Sequence, residues 1–408
     1  MYLSLGAVLV VSMGLASGGL LSLVLMSPVR QQVTFAIMLG LSLLLAVLGM
    51  LASEQIEQRG IGLANSFVLL VLTFALGYAL TTFSILLPRR RKREATVPGG
   101  SDRWTAVICL ASGEPPDYDL RSTARRLELA DNTEDVPSIL LRPFYMRDIK
   151  SKFASIGRSP YRDQLAELAR KVQARLPTDK RVSLAYYSDN PSLADTITRV
   201  IEEGSRQLMI AHLRVTDPPD AFSVGDLFEG INLESNRVRV TYLTPLWNSE
   251  LLPQIYVRRV LEAVAMGDAH TEELGLLLAG RWHPQTSESS RARQQQEESF
   301  QGRVKQALLK AGFNETSIQF GWLRCQPNIT QAVESLHAAG CRNIYWMPSS
   351  FPADGINTLY DIQTQLDAAA RKHQIRLTSL GAWNADDLAA EEISARVRAA
   401  SKEATRAV

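Results

Sequence analysis

The chain has 408 residues, which allows two or three domains, and its formal net charge is +2. Residues 1–94 carry seven basic and three acidic side chains, whereas residues 95–408 carry 37 basic and 39 acidic ones. Because the second region has no excess of positive charge, we exclude nucleic acid as its partner. The three cysteines (Cys109, Cys325 and Cys341) have no C-x-x-C spacing and cannot all pair, which is typical of a reducing compartment.

Three apolar runs near the N-terminus are long enough to cross a bilayer: Leu3–Met26, Val33–Ala52 and Ile61–Leu87. At 1.5 Å rise per residue, each spans a hydrocarbon core of about 30 Å. The first run could instead be a cleaved signal peptide, but its length favours a retained helix. Gly14 and Gly18 form a G-x-x-x-G pattern in it, which predicts close transmembrane packing and is weak evidence for a partner helix.

A basic block, RRRKR at residues 89–93, directly follows the third run. Basic residues favour the cytoplasmic side of a membrane, so this block predicts an outside N-terminus and a cytoplasmic soluble domain. The same orientation puts Arg30 inside and the loop with Glu54 and Glu57 outside. We therefore expect an integral membrane protein with three spans, in which residues 1–94 form the membrane region and residues 95–103 form a linker.

Strands and helices alternate in the rest of the chain. The predicted strands are Trp104–Ala111, Val182–Tyr187, Gln207–Leu213, Val238–Leu243, Leu274–Ala279, Ser317–Leu323, Asn343–Met347 and Arg376–Leu380. The predicted helices include Gln164–Leu176, Ser192–Glu203, Ser299–Ala311, Ile329–Ala339 and Asn357–His373. This alternation predicts an α/β fold of parallel sheets, in two Rossmann-like halves at residues 104–245 and 246–408.

The default ligand site of such a fold lies beyond the carboxyl ends of the strands, in the cleft between the halves. The polar residues 283–301 predict a mobile surface loop. The sequence contains no P-loop, dinucleotide-binding, H-E-x-x-H or G-x-S-x-G motif, and we assign no metal site. His212 ends a strand, where a hydrogen-bonded structural role is favoured over metal ligation.

Several segments, in the right order over about residues 105–400, resemble the ferrochelatase family. NIYWMPSSFPADGINTLYD (343–361) resembles its strand–loop–helix signature, in which Ser/Ala-Asp-His-Leu-Glu-x-Leu-Tyr follows a strand that ends in Pro. ICLASGEPPD (108–117) and FASIGRSPYRDQLAELARKVQARL (153–176) resemble two segments of its first half. The resemblance implies a chelatase-type fold and, as activity, insertion of Fe(II) into a porphyrin in haem biosynthesis.

The resemblance also implies which positions would handle protons. The family uses a His from a turn after a second-half strand and the Glu of the signature. Arg281 falls at the His position and Asn357 at the Glu position, while Gly355 replaces the signature His. Neither Arg nor Asn is a base in a protein, so we expect no standard iron insertion. His283, two residues later, is the substitute base if the turn is shifted.

We therefore predict a membrane-anchored ferrochelatase-like protein that is a subunit of a membrane assembly, a tetrapyrrole-binding protein, or both. The alternative is an active ferrochelatase. Porphyrin or haem is the candidate ligand, and no resident cofactor is assigned. Arg281 could pair with a porphyrin propionate. The candidate ligand-binding residues are Arg281, Trp282, His283, Asp354, Asn357 and Tyr360.

Overall fold

A computed structural model describes residues 5–56, 61–87, 104–130, 137–217, 233, 237–267, 273–281 and 288–406. The basic block at 89–93 and the linker at 95–103 lie outside these residues. The described chain divides into two compact units. One contains residues 1–90 with 118–154, and the other contains residues 91–117 with 155–408.

The first unit is helical. Its helices are α1 (Leu5–Met26), α2 (Val29–Ile56), α3 (Ile61–Leu86), α4 (Leu120–Ala130) and most of α5 (Arg142–Ile156). Stretches of the first three helices, Gly6–Met26, Val29–Leu51 and Ala64–Leu86, are long and apolar enough to cross a membrane. This agrees with the three spans predicted from the sequence.

Glycines let α1 and α3 approach closely. A Cβ atom at Gly18 would lie 1.9 Å from the carbonyl oxygen of Phe74, and one at Gly14 would lie 2.0 Å from the hydroxyl of Thr73. The contact at Gly18 is with backbone atoms, so a side chain there would force α1 and α3 apart, whereas a side chain at Gly14 would displace Thr73. The helix that faces this G-x-x-x-G pattern is therefore α3 of the same chain.

Helices α4 and α5 join this unit through buried polar contacts, which the sequence did not indicate. The ammonium group of Lys150, 5% exposed, donates to the carbonyl oxygens of Val24 and Ser27 and to Gln32 Oε1, at 3.1–3.2 Å. Tyr118 donates its hydroxyl to the carbonyl of Met26 at 2.5 Å. These donors satisfy carbonyl groups that the end of a helix leaves without intrahelical partners.

The second unit has two parallel four-stranded sheets, as predicted. The first has the order β2-β1-β3-β4, and its strands are β1 (Thr105–Ala111), β2 (Lys180–Tyr186), β3 (Gln207–His212) and β4 (Arg239–Tyr242). The second has the order β6-β5-β7-β8, and its strands are β5 (Leu274–Gly280), β6 (Ile318–Trp322), β7 (Asn343–Pro348) and β8 (Arg376–Ser379). All eight predicted strands are confirmed. The central strands β1 and β5 are buried throughout, because parallel sheets are covered on both faces.

Helices connect these strands. They are α6 (Tyr161–Arg175), α7 (Leu193–Glu202), α8 (Leu252–Met266), α9 (Glu288–Lys310), α10 (Ile329–Ala338), α11 (Gln363–His373) and α12 (Asp387–Arg406). Ser192 caps α7 by accepting from the Asp195 N–H, as its sequence position suggested. The predicted helix over 357–373 begins instead with a π-helical turn, Asn357–Ile362.

The prediction of a mobile loop over residues 283–301 is wrong for residues 288–301, which form the first half of α9. One face of this helix is buried at Ser290, Arg293, Glu297, Phe300, Gln301, Val304 and Leu308. The spacing is helical, but the first half of the stripe is polar. Hydrophobic periodicity therefore gave no signal there.

Candidate functional site at the strand ends

The carboxyl ends of β5 and β7 lie side by side, because the two strands pair in parallel with Ala279 opposite Pro348. Hydrogen-bond contacts join the segment that follows β7 to the end of β5 and to the residue after it. Ser349 N–H donates to the Ala279 carbonyl at 2.9 Å, and Arg281 N–H lies 3.4 Å from the Ser350 hydroxyl oxygen. The sheet thus brings Arg281 and the segment after β7, which contains residues 354–360, to one edge.

The turn at residues 354–357 is held by hydrogen bonds to residues 382 and 384 and to Thr358. The Asp354 carboxylate accepts from Asn384 Nδ2 at 2.8 Å and from the Ala382 N–H at 3.2 Å. Thr358 Oγ1 accepts from the Gly355 N–H at 2.9 Å. Asp354 therefore positions this turn, and Asn357 and Tyr360 are half-buried in the π-helical turn that follows.

A carboxylate from the first half of the unit occupies the space beside Gly355. Glu114, 4% exposed, accepts the Ile356 N–H at 2.9 Å and the hydroxyl of Ser159. A Cβ atom at position 355 would lie 2.6 Å from Glu114 Oε1 and 2.8 Å from Oε2. Glycine at 355 is therefore required by Glu114, a residue that sequence reasoning did not single out.

A second buried carboxylate, Glu297 on α9, reaches the residue after β5. It accepts a hydrogen bond from the backbone N–H of Arg281. It is 6% exposed, and its Oε1 has no hydrogen-bond partner among the residues that the structure describes. Burial raises the pKa of Glu297 to about 7, although the N–H of Arg281 and the charges of Arg214 and Arg281 oppose that rise.

The first sheet contributes Arg214, which follows β3, to the same place. Its guanidinium interacts electrostatically with Glu297, and its Nη1 lies 3.4 Å from Ser112 Oγ, just after β1. Gln296, next to Glu297 on α9, accepts the Asp217 N–H at 2.8 Å. We call the group formed by Ser112, Arg214, Arg281, Glu297 and the turn 354–357 the strand-end site. It is built by residues that follow strands of both sheets, at the edge where the carboxyl ends of parallel strands meet.

His212 lies next to this group and is buried and neutral. Its Nδ1 is 2.7 Å from the Tyr187 hydroxyl, and its ring stacks on Tyr187 and Tyr242. Burial and the positive charge of Arg214 lower the pKa of His212 to about 4. The predicted hydrogen-bonded role of His212 is confirmed, and among the described residues no cluster of three His, Cys, Asp or Glu side chains could hold a metal ion.

Not every predicted site residue can be located. Trp282 and His283 lie outside the described residues, so the substitute-base hypothesis for His283 stays a prediction. Arg281, Asp354, Asn357 and Tyr360 are described, and all are half-buried on the segments that follow β5 and β7. Sequence reasoning missed Glu114, Arg214 and Glu297. Glu297 lies on the buried face of α9, so it could have been found only if residues 288–301 had been recognised as a helix.

Comparisons with known sequences relate this chain to one family. A family model described as Ferrochelatase matches residues 136–401. Two curated relatives are ferrochelatases, from Geobacter sp. (strain M21) and Citrifermentans bemidjiense (strain ATCC BAA-1014 / DSM 16622 / JCM 12645 / Bem). Each is 22% identical over 321 residues, which cover 73% of this chain and 99% of the relative.

The solved structures that this chain is similar to are more distant in sequence. SirB from Bacillus subtilis with Fe3+ is 12% identical with a TM-score of 0.47, and covers 72% of this chain and 94% of its own. The sirohydrochlorin chelatase SirB from Bacillus subtilis subspecies spizizenii, in complex with cobalt, is 10% identical with a TM-score of 0.45 and the same coverage. CbiX, described as the terminal enzyme for biosynthesis of siroheme in denitrifying bacteria, is 15% identical with a TM-score of 0.42, and covers 72% of this chain and 98% of its own.

The fold and the site thus define an α/β protein with two parallel four-stranded sheets, preceded by three helices long enough to span a membrane. Because the family model covers more than half of the chain, the protein belongs to the ferrochelatase family.

Proposed function

We propose that this protein is a membrane-held, tetrapyrrole-binding member of the ferrochelatase family that does not use the family's His/Glu pair. One observation carries this proposal: the residue after β5, where the resemblance puts the catalytic His, is Arg281. A guanidinium cannot take up a proton, but it pairs well with a carboxylate such as a porphyrin propionate. Asn357, at the Glu position, cannot take up a proton.

The charges around the strand-end site support a ligand with carboxylates. Arg214 and Arg281 both act on one buried carboxylate, Glu297, so two guanidiniums lie close to this edge of the sheets. Burial lowers the pKa of Arg214, which means that its charged form would gain from an anionic partner. A charge-assisted bond from Arg281 to a propionate contributes about 1.5–3 kcal/mol, or roughly tenfold to a hundredfold in affinity.

Titration of the full-length protein with protoporphyrin in mild detergent tests the proposal. We expect a saturable shift of the Soret band at micromolar ligand. Arg281→Ala should weaken binding by roughly tenfold to a hundredfold. Arg371→Ala, which removes an exposed arginine near the end of α11, is the matched control and should leave binding unchanged. No spectral shift with the wild-type protein would contradict tetrapyrrole binding.

A role as a subunit of a membrane assembly is the second candidate. Its support is that three helices are long enough to span a membrane, whereas one span already anchors a domain almost irreversibly. This role predicts a stable complex in mild detergent that is lost on deletion of residues 1–94. Purification of the wild-type protein without any companion protein would count against it.

We also propose that the N-terminus lies outside and the soluble domain lies in the cytoplasm. The support is the RRRKR block at 89–93 together with the distribution of charge in the two earlier loops. A C-terminal reporter that is active only in the cytoplasm should be active. A C-terminal reporter active only in the exterior compartment would contradict the orientation.

A further inference from the structure

The Glu297 carboxylate lies beside the residue that follows β5, where the family resemblance calls for a base. It is hydrogen-bonded to the backbone N–H of Arg281, the residue that occupies the family's His position. Its helix is fixed against the ends of β5 and β7. One turn after Glu297, Gln301 Nε2 donates to Ser349 Oγ at 2.9 Å, and Phe300 packs edge-on against Tyr256. The helical turn that follows Glu297 is therefore fixed by one hydrogen bond and one aromatic contact.

Glu297 differs from the other carboxylates near this edge because it has an open acceptor. Glu114 accepts from Ser159 and Ile356, and Asp354 accepts from Ala382 and Asn384. The carboxylate of Asp189 pairs with Arg162. Glu297 Oε1, by contrast, has no partner within the described part of the chain. A buried acceptor without a donor is costly, so a ligand that brings an N–H to it would be favoured.

We propose that Glu297 is the proton acceptor of the strand-end site, taking a pyrrole proton from a bound free-base tetrapyrrole when a divalent metal ion enters the macrocycle. This rests on the proposed tetrapyrrole binding and extends it to a reaction by a different base. The resemblance implies proton-handling groups only at positions 281 and 357, and neither residue there is a base. The acceptor proposed here comes from α9, the segment that the sequence suggested was a loop.

The step balances without a redox partner. The two pyrrole N–H bonds break, and the metal ion forms bonds to the macrocycle nitrogens. One proton goes to a Glu297 carboxylate oxygen and the second goes to water. The metal ion stays divalent throughout, and it is the second substrate.

The groups around Glu297 suit this task. Arg214 and Arg281 face it from the loops after β3 and β5. Glu298 is its neighbour on α9. Cys325, in the loop after β6, and Tyr256, on α8, also interact with it. The two guanidiniums favour the carboxylate form, and burial favours the protonated form. A pKa of about 7 lets the group accept a proton and release it again near neutral pH.

The experiment measures Zn(II) insertion into protoporphyrin by the full-length protein in mild detergent, followed by the fluorescence of the zinc porphyrin. We expect Glu297→Gln to lower the rate by roughly 100-fold or more, the usual effect of losing a general base. Binding of the free base should change by less than about threefold, because glutamine keeps the shape of the side chain. Glu288→Gln, which removes an exposed carboxylate from the start of the same helix, should keep the wild-type rate.

Two further readouts separate a proton acceptor from a structural residue. The wild-type rate should rise with pH through an apparent pKa near 7, and this dependence should be lost in Glu297→Gln. Glu297→Asp, which keeps a carboxylate, should retain more activity than Glu297→Gln. Equal rates in the wild type and Glu297→Gln, including no turnover in either, would overturn the proposal while leaving tetrapyrrole binding intact. A wild-type protein that binds no porphyrin would overturn both.

Discussion

Replacing Glu297 with glutamine should change how stability depends on pH. Burial raises the pKa of Glu297 from 4.5 to about 7 in the folded protein, whereas in the unfolded chain the group returns to its ordinary value. A group with a raised folded pKa contributes stability that is fully present below pH 4.5 and is lost as the pH rises through 7. The shift corresponds to about 3 kcal/mol across this window, at about 1.4 kcal/mol per pH unit.

Equilibrium unfolding by guanidinium in detergent, measured between pH 4.5 and 8, provides the assay. The fluorescence of Trp346 and Trp383, both buried in the unit that contains the sheets, reports the unfolding of that unit. The wild type should lose about 3 kcal/mol relative to Glu297→Gln as the pH rises. Glu288→Gln, which changes an exposed carboxylate at the start of the same helix, should follow the wild-type curve. Parallel curves for wild type and Glu297→Gln would refute the reasoning, because they would mean that Glu297 titrates at the same pH in both states.

The remaining predictions concern packing. Lys150→Met should destabilise the helical unit by about 1–3 kcal/mol, because three acceptors lose their buried donor, and thermal loss of helical circular dichroism would measure this. Gly18→Ala should lower the temperature of the same transition, since its Cβ would collide with the α3 backbone. Gly40→Ala should not, because a Cβ there meets none of the described atoms within 4 Å. Glu114→Ala and Gly355→Ala should each lower the free energy of unfolding of the sheet unit. The double variant should lose less than the sum of the two single losses, because removing the carboxylate frees space for the new methyl group. Strict additivity would contradict that contact.

The sequence predicted the parts of the fold whose signal is apolar. The buried strands β1 and β5 are short uninterrupted apolar runs, and the three long helices are longer runs of the same kind. Helix α7 begins after the capping residue Ser192 and has a clear apolar stripe, so the sequence located it to within one residue at each end.

The missed parts are those stabilised by polar or distant contacts. The buried face of α9 begins with Ser290, Arg293 and Glu297, so no apolar pattern marks it. Helix α5 is held partly by Lys150, whose acceptors lie more than 100 residues away in the sequence. Glu114 meets Ile356 across 242 residues, and no local pattern encodes that contact. The resemblance singled out Arg281 and Asn357, which follow β5 and β7, whereas only the packing shows the buried carboxylates of Glu114 and Glu297.

The central claim, binding of a carboxylate-bearing tetrapyrrole through Arg281, is tested most directly by comparing two ligands on two proteins. The dissociation constants of protoporphyrin and of its uncharged dimethyl ester are measured for the wild type and for Arg281→Ala. We expect the wild type to prefer the dicarboxylate by roughly tenfold to a hundredfold, and Arg281→Ala to lose most of that preference. Equal affinity of the wild type for both ligands, or a preference unchanged by Arg281→Ala, would contradict it.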